Sequence, residues 1–147
     1  MSTGKPKTIL LVEDNDDHAE LVTRTFARLT QSVRLEHLSD GAQALDYLSG
    51  RGEFADNRPE RPEVILLDLR LPKVDGLEVL REIKQSPQLK SIPVVVLTTS
   101  AAEADVARAY EHHANAYLVK PVDFTEFNDL LRDLGLFWLV WNTGPEA

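Results

Sequence analysis

The chain has 147 residues, 43% hydrophobic and 27% charged, with 24 acidic side chains against 16 basic ones for a net charge of −8. A single domain of this size buries roughly 70% of the surface its unfolded chain exposes, and the composition excludes wholesale disorder. The negative charge argues against a nucleic-acid partner held on a broad basic face, and the lack of cysteine removes disulfides, thiolate metal sites and thiol catalysis.

The start is polar, and the apolar run Ile9 to Val12 is too short for a signal peptide or a membrane span, so no membrane partner and a cytoplasmic location are expected. Thr8 to Val12 is nearly all apolar, as a parallel strand covered on both faces should be. Asp16 and Asp17 offer a helix N-cap, and Ala19, Val22, Phe26 and Leu29 then recur at helical spacing. Val33 to Leu38 alternates with period two and predicts an edge strand. Asp40-Gly41 opens a second helix with Ala44, Leu45 and Leu48 inward and Gly50 as its stop. Arg51 to Pro62 is polar and predicts a long loop.

Val64 to Leu67 is the next buried strand, ending at Asp68. A helix starts near Asp75-Gly76 and carries Leu77, Leu80 and Ile83. Pro93 leads into the strand Val94 to Leu97. An alanine-rich helix is expected from Ala101 to about His113, then a short strand from Ala116 to Val119 that ends at Lys120-Pro121. Phe124, Phe127, Leu131, Leu134 and Trp138 form the stripe of a last helix. Five strands alternating with five helices give an open parallel sheet with helices on both faces, in one domain over 1–147.

Ligands of such sheets bind outside the carboxyl ends of the strands. Those ends carry Glu13, Asp14, Asp68, Thr98 and Lys120. A carboxylate cluster repels itself unless a cation sits in it, and hard oxygen ligands without His or Cys favour Mg²⁺. An ammonium and a hydroxyl beside it suit the three equatorial oxygens of a phosphoryl group. Asp68, alone at the end of a central strand, is placed as a nucleophile that would form an aspartyl phosphate. No glycine-rich nucleotide-binding pattern accompanies it. The histidines carry no phosphotransfer pattern; His18 lies near the acidic site and could touch that pocket, but a solvent-facing position in the first turn of its helix is the reading preferred.

Glu13-Asp14, Asp68 with Pro72 and Asp75-Gly76 behind it, Thr98 and Lys120-Pro121 together resemble the receiver domain of two-component response regulators, over residues 7 to about 135. The resemblance implies a flavodoxin-like fold that takes a phosphoryl group from the phosphohistidine of a histidine kinase. It implies that Asp68 is the acceptor, that Asp14 and Asp68 bind Mg²⁺ directly, and that Glu13 (through water) and the Arg70 backbone carbonyl complete the metal site. Thr98 and Lys120 would grip phosphoryl oxygens, Tyr117 would change rotamer on activation, and the Lys120–Pro121 bond would be cis.

The Arg51–Pro62 loop, the Leu97-Thr98-Thr99-Ser100 run and Phe137-Trp138-Leu139 are more closely similar to single-domain regulators paired with phytochrome-type kinases. Such a protein signals through protein contacts and is a switch, not an enzyme. The rival is a Mg²⁺-dependent phosphohydrolase with an aspartyl nucleophile, but Arg70 stands where such enzymes carry a second aspartate as general acid, and a guanidinium does not give up its proton at neutral pH.

Residues 136–147 read as a C-terminal extension of the 7–135 core. Leu136 to Trp141 is apolar throughout, and Gly135 interrupts the helix at a cost of about 1 kcal/mol relative to Ala. The spacing Leu131, Leu134, Trp138, Trp141 keeps one helical phase across it. Such a run leaves apolar side chains pointing outward, so a homodimer through Phe137, Trp138 and Trp141 is expected.

Overall fold

The computed structural model describes residues 7–29, 33–57 and 59–141, the last two by their backbone alone. In chain order the elements are β1 (Lys7–Val12), α1 (Asp16–Leu29), β2 (Val33–Leu38), α2 (Gly41–Ser49), β3 (Val64–Leu67), α3 (Gly76–Gln85), β4 (Val94–Thr98), α4 (Glu103–Glu111), β5 (Ala116–Val119) and α5 (Phe124–Gly135). The strands form one parallel sheet in the order β2-β1-β3-β4-β5. This is the flavodoxin-like order, which reverses direction between β1 and β3 and opens a crevice there.

Alternate residues of the central strands feed two cores. Leu10, Val12, Ile65, Leu67, Val94 and Val96 pack under α2, α3 and α4. Ile9, Leu11, Val64, Leu66, Val95 and Leu97 pack under α1 and α5. Both faces are covered, which is why these strands read as unbroken apolar runs. At the edge, β2 is exposed at Arg34 and His37, half-buried at Val33, Leu35 and Glu36 and buried at Leu38, so the period-two alternation expected from the sequence holds only over its first residues.

Local chemistry sets the helix ends. The Asp40 carboxylate accepts from the Gln43 backbone N–H, and Gly50 closes α2 in the left-handed conformation at φ 65°. Gly76 starts α3 against the end of β3, where a Cβ would stand 2.3 Å from the Asp68 carbonyl oxygen and 2.5 Å from the Leu69 Cα. Only glycine lets the helix approach the Asp68 backbone this closely. The loop after α2 holds one 3-10 turn, Gly52–Phe54, whose Phe54 ring meets Tyr47 edge-on at 5.1 Å.

α1 is capped by Asn15, whose side-chain oxygen accepts from the His18 N–H at 3.0 Å, and not by Asp16 or Asp17, which lie in its first turn. Two further elements depart from the sequence reading. α4 begins at Glu103 rather than Ala101, because the Ser100 hydroxyl accepts from the Ala102 N–H and Ala102 is still extended at ψ 131°. It ends at Glu111, with His113 left-handed at φ 68° and the Ala114 N–H donating back to the Ala109 carbonyl.

The second of these is the C-terminus, where Leu136–Trp141 is π-helical. Bonds from i to i+5 break the single helical phase expected across Gly135. Leu139 becomes buried, Trp138 packs against the α1/α5 core, and Phe137 remains 51% exposed. The Trp141 side chain lies outside the described residues. Gly135 itself faces α1, where a Cβ would stand 2.3 Å from Leu29 Cδ1. It is a packing position as well as an interruption.

Candidate functional site

The ends of β1, β3, β4 and β5 bring Glu13, Asp14, Asp68, Thr98 and Lys120 to one edge of the sheet. Glu13 is anchored from both sides of the chain. Its N–H donates to the Leu38 carbonyl, and its own carbonyl accepts from His37 Nε2 at 2.7 Å. Asp68 follows β3 directly, and its N–H continues the sheet ladder to the Val12 carbonyl. Lys120 is fixed in the same way by its N–H on the Thr98 carbonyl at 2.7 Å.

Lys120 is 4% exposed, so its ammonium has to find its partners inside the protein. Nζ donates to Glu13 Oε1 at 2.5 Å and to Asp68 Oδ2 at 3.0 Å. The other Asp68 oxygen accepts from the Arg70 N–H at 3.2 Å. Carboxylate oxygens of Glu13, Asp14 and Asp68 lie within 4.8 Å of one another. Glu13 and Asp68 are buried and Asp14 is exposed, so the crevice opens to solvent on the Asp14 side. An all-oxygen set of this spacing, with one open side for waters, fits a hard divalent cation.

Burial pushes the Glu13 carboxyl up to about 7, against the pull of Lys120, and the nearby Asp68 charge adds to the rise. Burial acts on Asp68 in the same sense, but the charge and hydrogen bond of Lys120 outweigh it and hold that carboxyl below its ordinary value. One carboxyl therefore holds a proton readily while its neighbour stays ionised. Asp68 is the ionised one, as a nucleophile must be.

Thr98 is fully buried, its hydroxyl oxygen accepting from the Ser100 N–H at 3.4 Å. Beyond it runs a polar chain that the sequence reading missed. Asp105 on α4 accepts from Arg70 Nη2 at 2.7 Å and from the Ser100 hydroxyl at 2.6 Å. Tyr117 donates its hydroxyl to the Ser100 carbonyl at 2.9 Å. Asp105 is 7% exposed, so a carboxylate in the first turn of α4 points inward. The absence of large apolar residues at the matching positions of that helix was the available signal.

Two expectations need correction. The Lys120–Pro121 bond is trans; no peptide bond among the described residues is cis. Trans is favoured for X–Pro by about 0.5–1 kcal/mol, and Lys120 reaches both carboxylates without the cis isomer. His18 does not face solvent. It is half-buried, with Nδ1 3.0 Å from Lys120 Nζ and its ring edge-on to Phe127 at 5.5 Å. His18 shares a face with Val22 and Thr25 at spacings of four and seven, which the sequence already displays.

The comparisons with known proteins bear on this edge. A family model described as the response regulator receiver domain matches residues 9–132. The chain belongs to that family. It is 50% identical over 143 residues to the probable methanogenesis regulatory protein FilR2 of Methanothrix harundinacea, covering 95% of this chain and 88% of that protein. It is 48% identical over 145 residues to the response regulator Rcp1 of Synechocystis, covering 99% and 97%.

The crystal structure of Mn²⁺-bound Rcp1 superposes with a TM-score of 0.91 at 46% identity, covering 96% of this chain and all of that one. The phosphorylated cyanobacterial phytochrome response regulator RcpA gives 0.91 at 42% identity, covering 96% and 99%. A receiver is a signalling switch, and the acidic cluster found here matches in kind the divalent-metal binding named for Rcp1. Among the described residues no helix is long and apolar enough to cross a membrane.

Proposed function

We propose that this receiver takes a phosphoryl group from the phosphohistidine of a histidine kinase onto Asp68, in a reaction that requires Mg²⁺. The observation that carries the reading is the Lys120 ammonium 3.0 Å from an ionised Asp68 carboxylate, beside two further carboxylates. An Asp68 oxygen attacks phosphorus and the P–N bond to the kinase imidazole breaks. The electron pair stays on the imidazole nitrogen, which takes up a proton. Lys120 and the Thr98 hydroxyl bind the phosphoryl oxygens as negative charge gathers on them.

Asp14 and Asp68 would hold the metal directly, with Glu13 through water and the Arg70 carbonyl completing the set. When bound, the ion supplies charge neutralisation between the carboxylates and the incoming phosphoryl group. Replacing Asp68 by Asn should abolish labelling by acetyl phosphate while the fold is retained; labelling that persists in Asp68→Asn places the acceptor elsewhere. Asp14→Ala should weaken Mg²⁺ binding more than Glu13→Ala, and undiminished phosphotransfer in excess chelator would refute the metal requirement.

The kinase we infer is of the phytochrome type, a reading supported by the likeness to RcpA, a cyanobacterial phytochrome response regulator. Coverage of Rcp1 almost from end to end supports a single receiver domain over 1–147; we further propose that it acts in the cytoplasm through protein contacts rather than through nucleic acid or membrane. The phosphohydrolase alternative lacks its acid: Arg70 occupies that position and is paired with Asp105. Sustained turnover of phosphate monoesters with Mg²⁺ would restore it.

The route we propose from site to surface runs through Thr98 and Tyr117. Thr98 drawn toward the phosphoryl group leaves room for the Tyr117 ring to turn inward, which breaks its bond to Ser100. We also propose a homodimer through the C-terminal segment. Phe137 and Leu136 are its exposed members, Trp138 contributes the part of its ring left outside the core, and Trp141 belongs to the same stretch. Light scattering decides: a monomer at micromolar concentration, phosphorylated or not, refutes it.

A further inference from the structure

We propose that His18 is a positioning residue for the reaction at Asp68, its ring nitrogen accepting the third N–H of the Lys120 ammonium so that the other two are aimed at Glu13 and Asp68. An ammonium has three donors and no acceptor. Lys120 has three partners within hydrogen-bond reach: Glu13 Oε1 at 2.5 Å, Asp68 Oδ2 at 3.0 Å and His18 Nδ1 at 3.0 Å. Because Lys120 can only donate, Nδ1 accepts, and the ring is neutral with its proton on Nε2. Among the described residues, no buried side-chain polar atom lacks a partner, so the arrangement is complete as it stands.

The ring is itself held. His18 lies in the first turn of α1, and its edge rests on Phe127 of α5, which is 4% exposed. A lysine stem is flexible, and with two acceptors its head is free to turn between them. The His18 ring takes the remaining donor, so all three N–H groups of the ammonium are held at once. The proposal rests on the reading of Asp68 as phospho-acceptor. There, Lys120 has to turn one donor from a carboxylate to a phosphoryl oxygen without leaving the site, and His18 keeps it tethered during that exchange.

Protonation of His18 would end the contact, since an imidazolium has no lone pair to offer and repels the ammonium. The charged groups around the ring are Lys120 after β5, Asp68 after β3, and Asp14 and Asp17 at the entry to α1; Phe127 faces it from α5. Burial and then Lys120 hold the imidazole below its ordinary pKa, and the three aspartates oppose them. The ring is therefore neutral, and able to accept, through the neutral range.

The test uses the full chain at saturating Mg²⁺ with phosphoramidate as donor, comparing wild type, His18→Gln and His18→Leu from about pH 8 downward through the ordinary histidine value near 6.5. At the alkaline end His18→Leu should label about tenfold more slowly, the scale expected for a lost hydrogen bond to a charged group. His18→Gln keeps an acceptor and should recover most of the rate. As pH falls past 6.5, wild type should lose rate relative to His18→Gln, because only the imidazole titrates. Donor chemistry and the carboxylates are common to all three proteins and cancel in the ratio. A His18→Leu rate equal to wild type, or a wild-type to His18→Gln ratio that is flat with pH, overturns the proposal.

Nitrogen NMR of the wild-type ring tests the contact without any phosphotransfer. The Nε2–H tautomer is expected, and the Nδ1–H tautomer would refute the contact. If no donor labels the protein, the acceptor reading fails, and the tautomer still decides whether His18 holds Lys120.

Discussion

α5 and α4 are neighbours in chain order around the same strand, yet they are attached to the molecule by different forces. α5 buries Phe127, Leu131 and Leu134, which lock into α1 and the sheet. α4 buries only Ala109 and the Asp105 carboxylate. Its first turn is held by polar groups that belong to the site edge: the Arg70 guanidinium and the Ser100 hydroxyl. Hydrophobic burial is non-directional and indifferent to a charge placed on Asp68. Hydrogen bonds to Asp105 are directional, and their donors Arg70 and Ser100 each stand two residues from a group that would meet the phosphoryl group, Asp68 and Thr98. On this contrast α4 is expected to respond to a charge at the site and α5 to stay fixed.

The largest effect should come from the hydrophobic side. Leu131→Ala removes a fully buried side chain and should cost about 2–5 kcal/mol of unfolding free energy, measured by denaturant titration. A loss below about 1 kcal/mol would mean that α5 is not the anchor described. Asp105→Ala should cost less, about 1–3 kcal/mol, because it strands the Ser100 hydroxyl and frees a largely exposed Arg70. Its signature should be local. Amide exchange over 103–111 should accelerate while 124–135 keeps its protection, and equal acceleration of both helices would erase the comparison.

The two regions should also differ with pH. Glu13 has a carboxyl raised to about 7 in the folded protein, above the ordinary value near 4.3 that it regains on unfolding. Its folded form binds the proton more tightly, so its contribution to stability is fully present below about pH 4.3 and is lost as pH rises through about 7. In metal-free protein the melting temperature should show that decline, and Glu13→Gln should flatten it. An unchanged slope in Glu13→Gln would contradict the burial argument. The apolar side chains of the α1/α5 core do not titrate; on that side His18, held below its ordinary value, adds a slope of the opposite sign, stability lost as pH falls below about 6.5. The smallest effect expected is that of Tyr117→Phe, about 0.5–1.5 kcal/mol for one hydrogen bond to the Ser100 carbonyl, again confined to the α4 side.

Much of this was legible in the residues. The runs Ile9 to Val12, Val64 to Leu67 and Val94 to Leu97 announce strands covered on both faces, and a parallel sheet then sends Glu13, Asp14, Asp68, Thr98 and Lys120 to one edge by topology alone. What was not legible depends on packing across elements. Asp105 reads as an ordinary acidic residue of a helix's first turn until Arg70 and Ser100 are seen to converge on it. The spacing of His18 with Val22 and Thr25 is on display, but that its ring meets an ammonium is not legible until β5 delivers Lys120 to it. The C-terminal run has the composition of a continuous helix, but the i to i+5 bonding after Gly135 changes which side chains face inward, and composition carries no record of that choice. The trans bond at Pro121 follows the intrinsic X–Pro preference, and the cis isomer was expected from the family resemblance alone.

Chemistry at the sheet edge is expected to reach α4 and to leave α5 unchanged. The decisive measurement is amide exchange on the full chain with Mg²⁺, before and after phosphorylation by acetyl phosphate. The expected result is a change in exchange over 98–119, covering β4, α4 and β5, with 124–135 unaltered. Exchange that stays the same over 98–119 in fully phosphorylated protein, or that changes equally in α5, would contradict it.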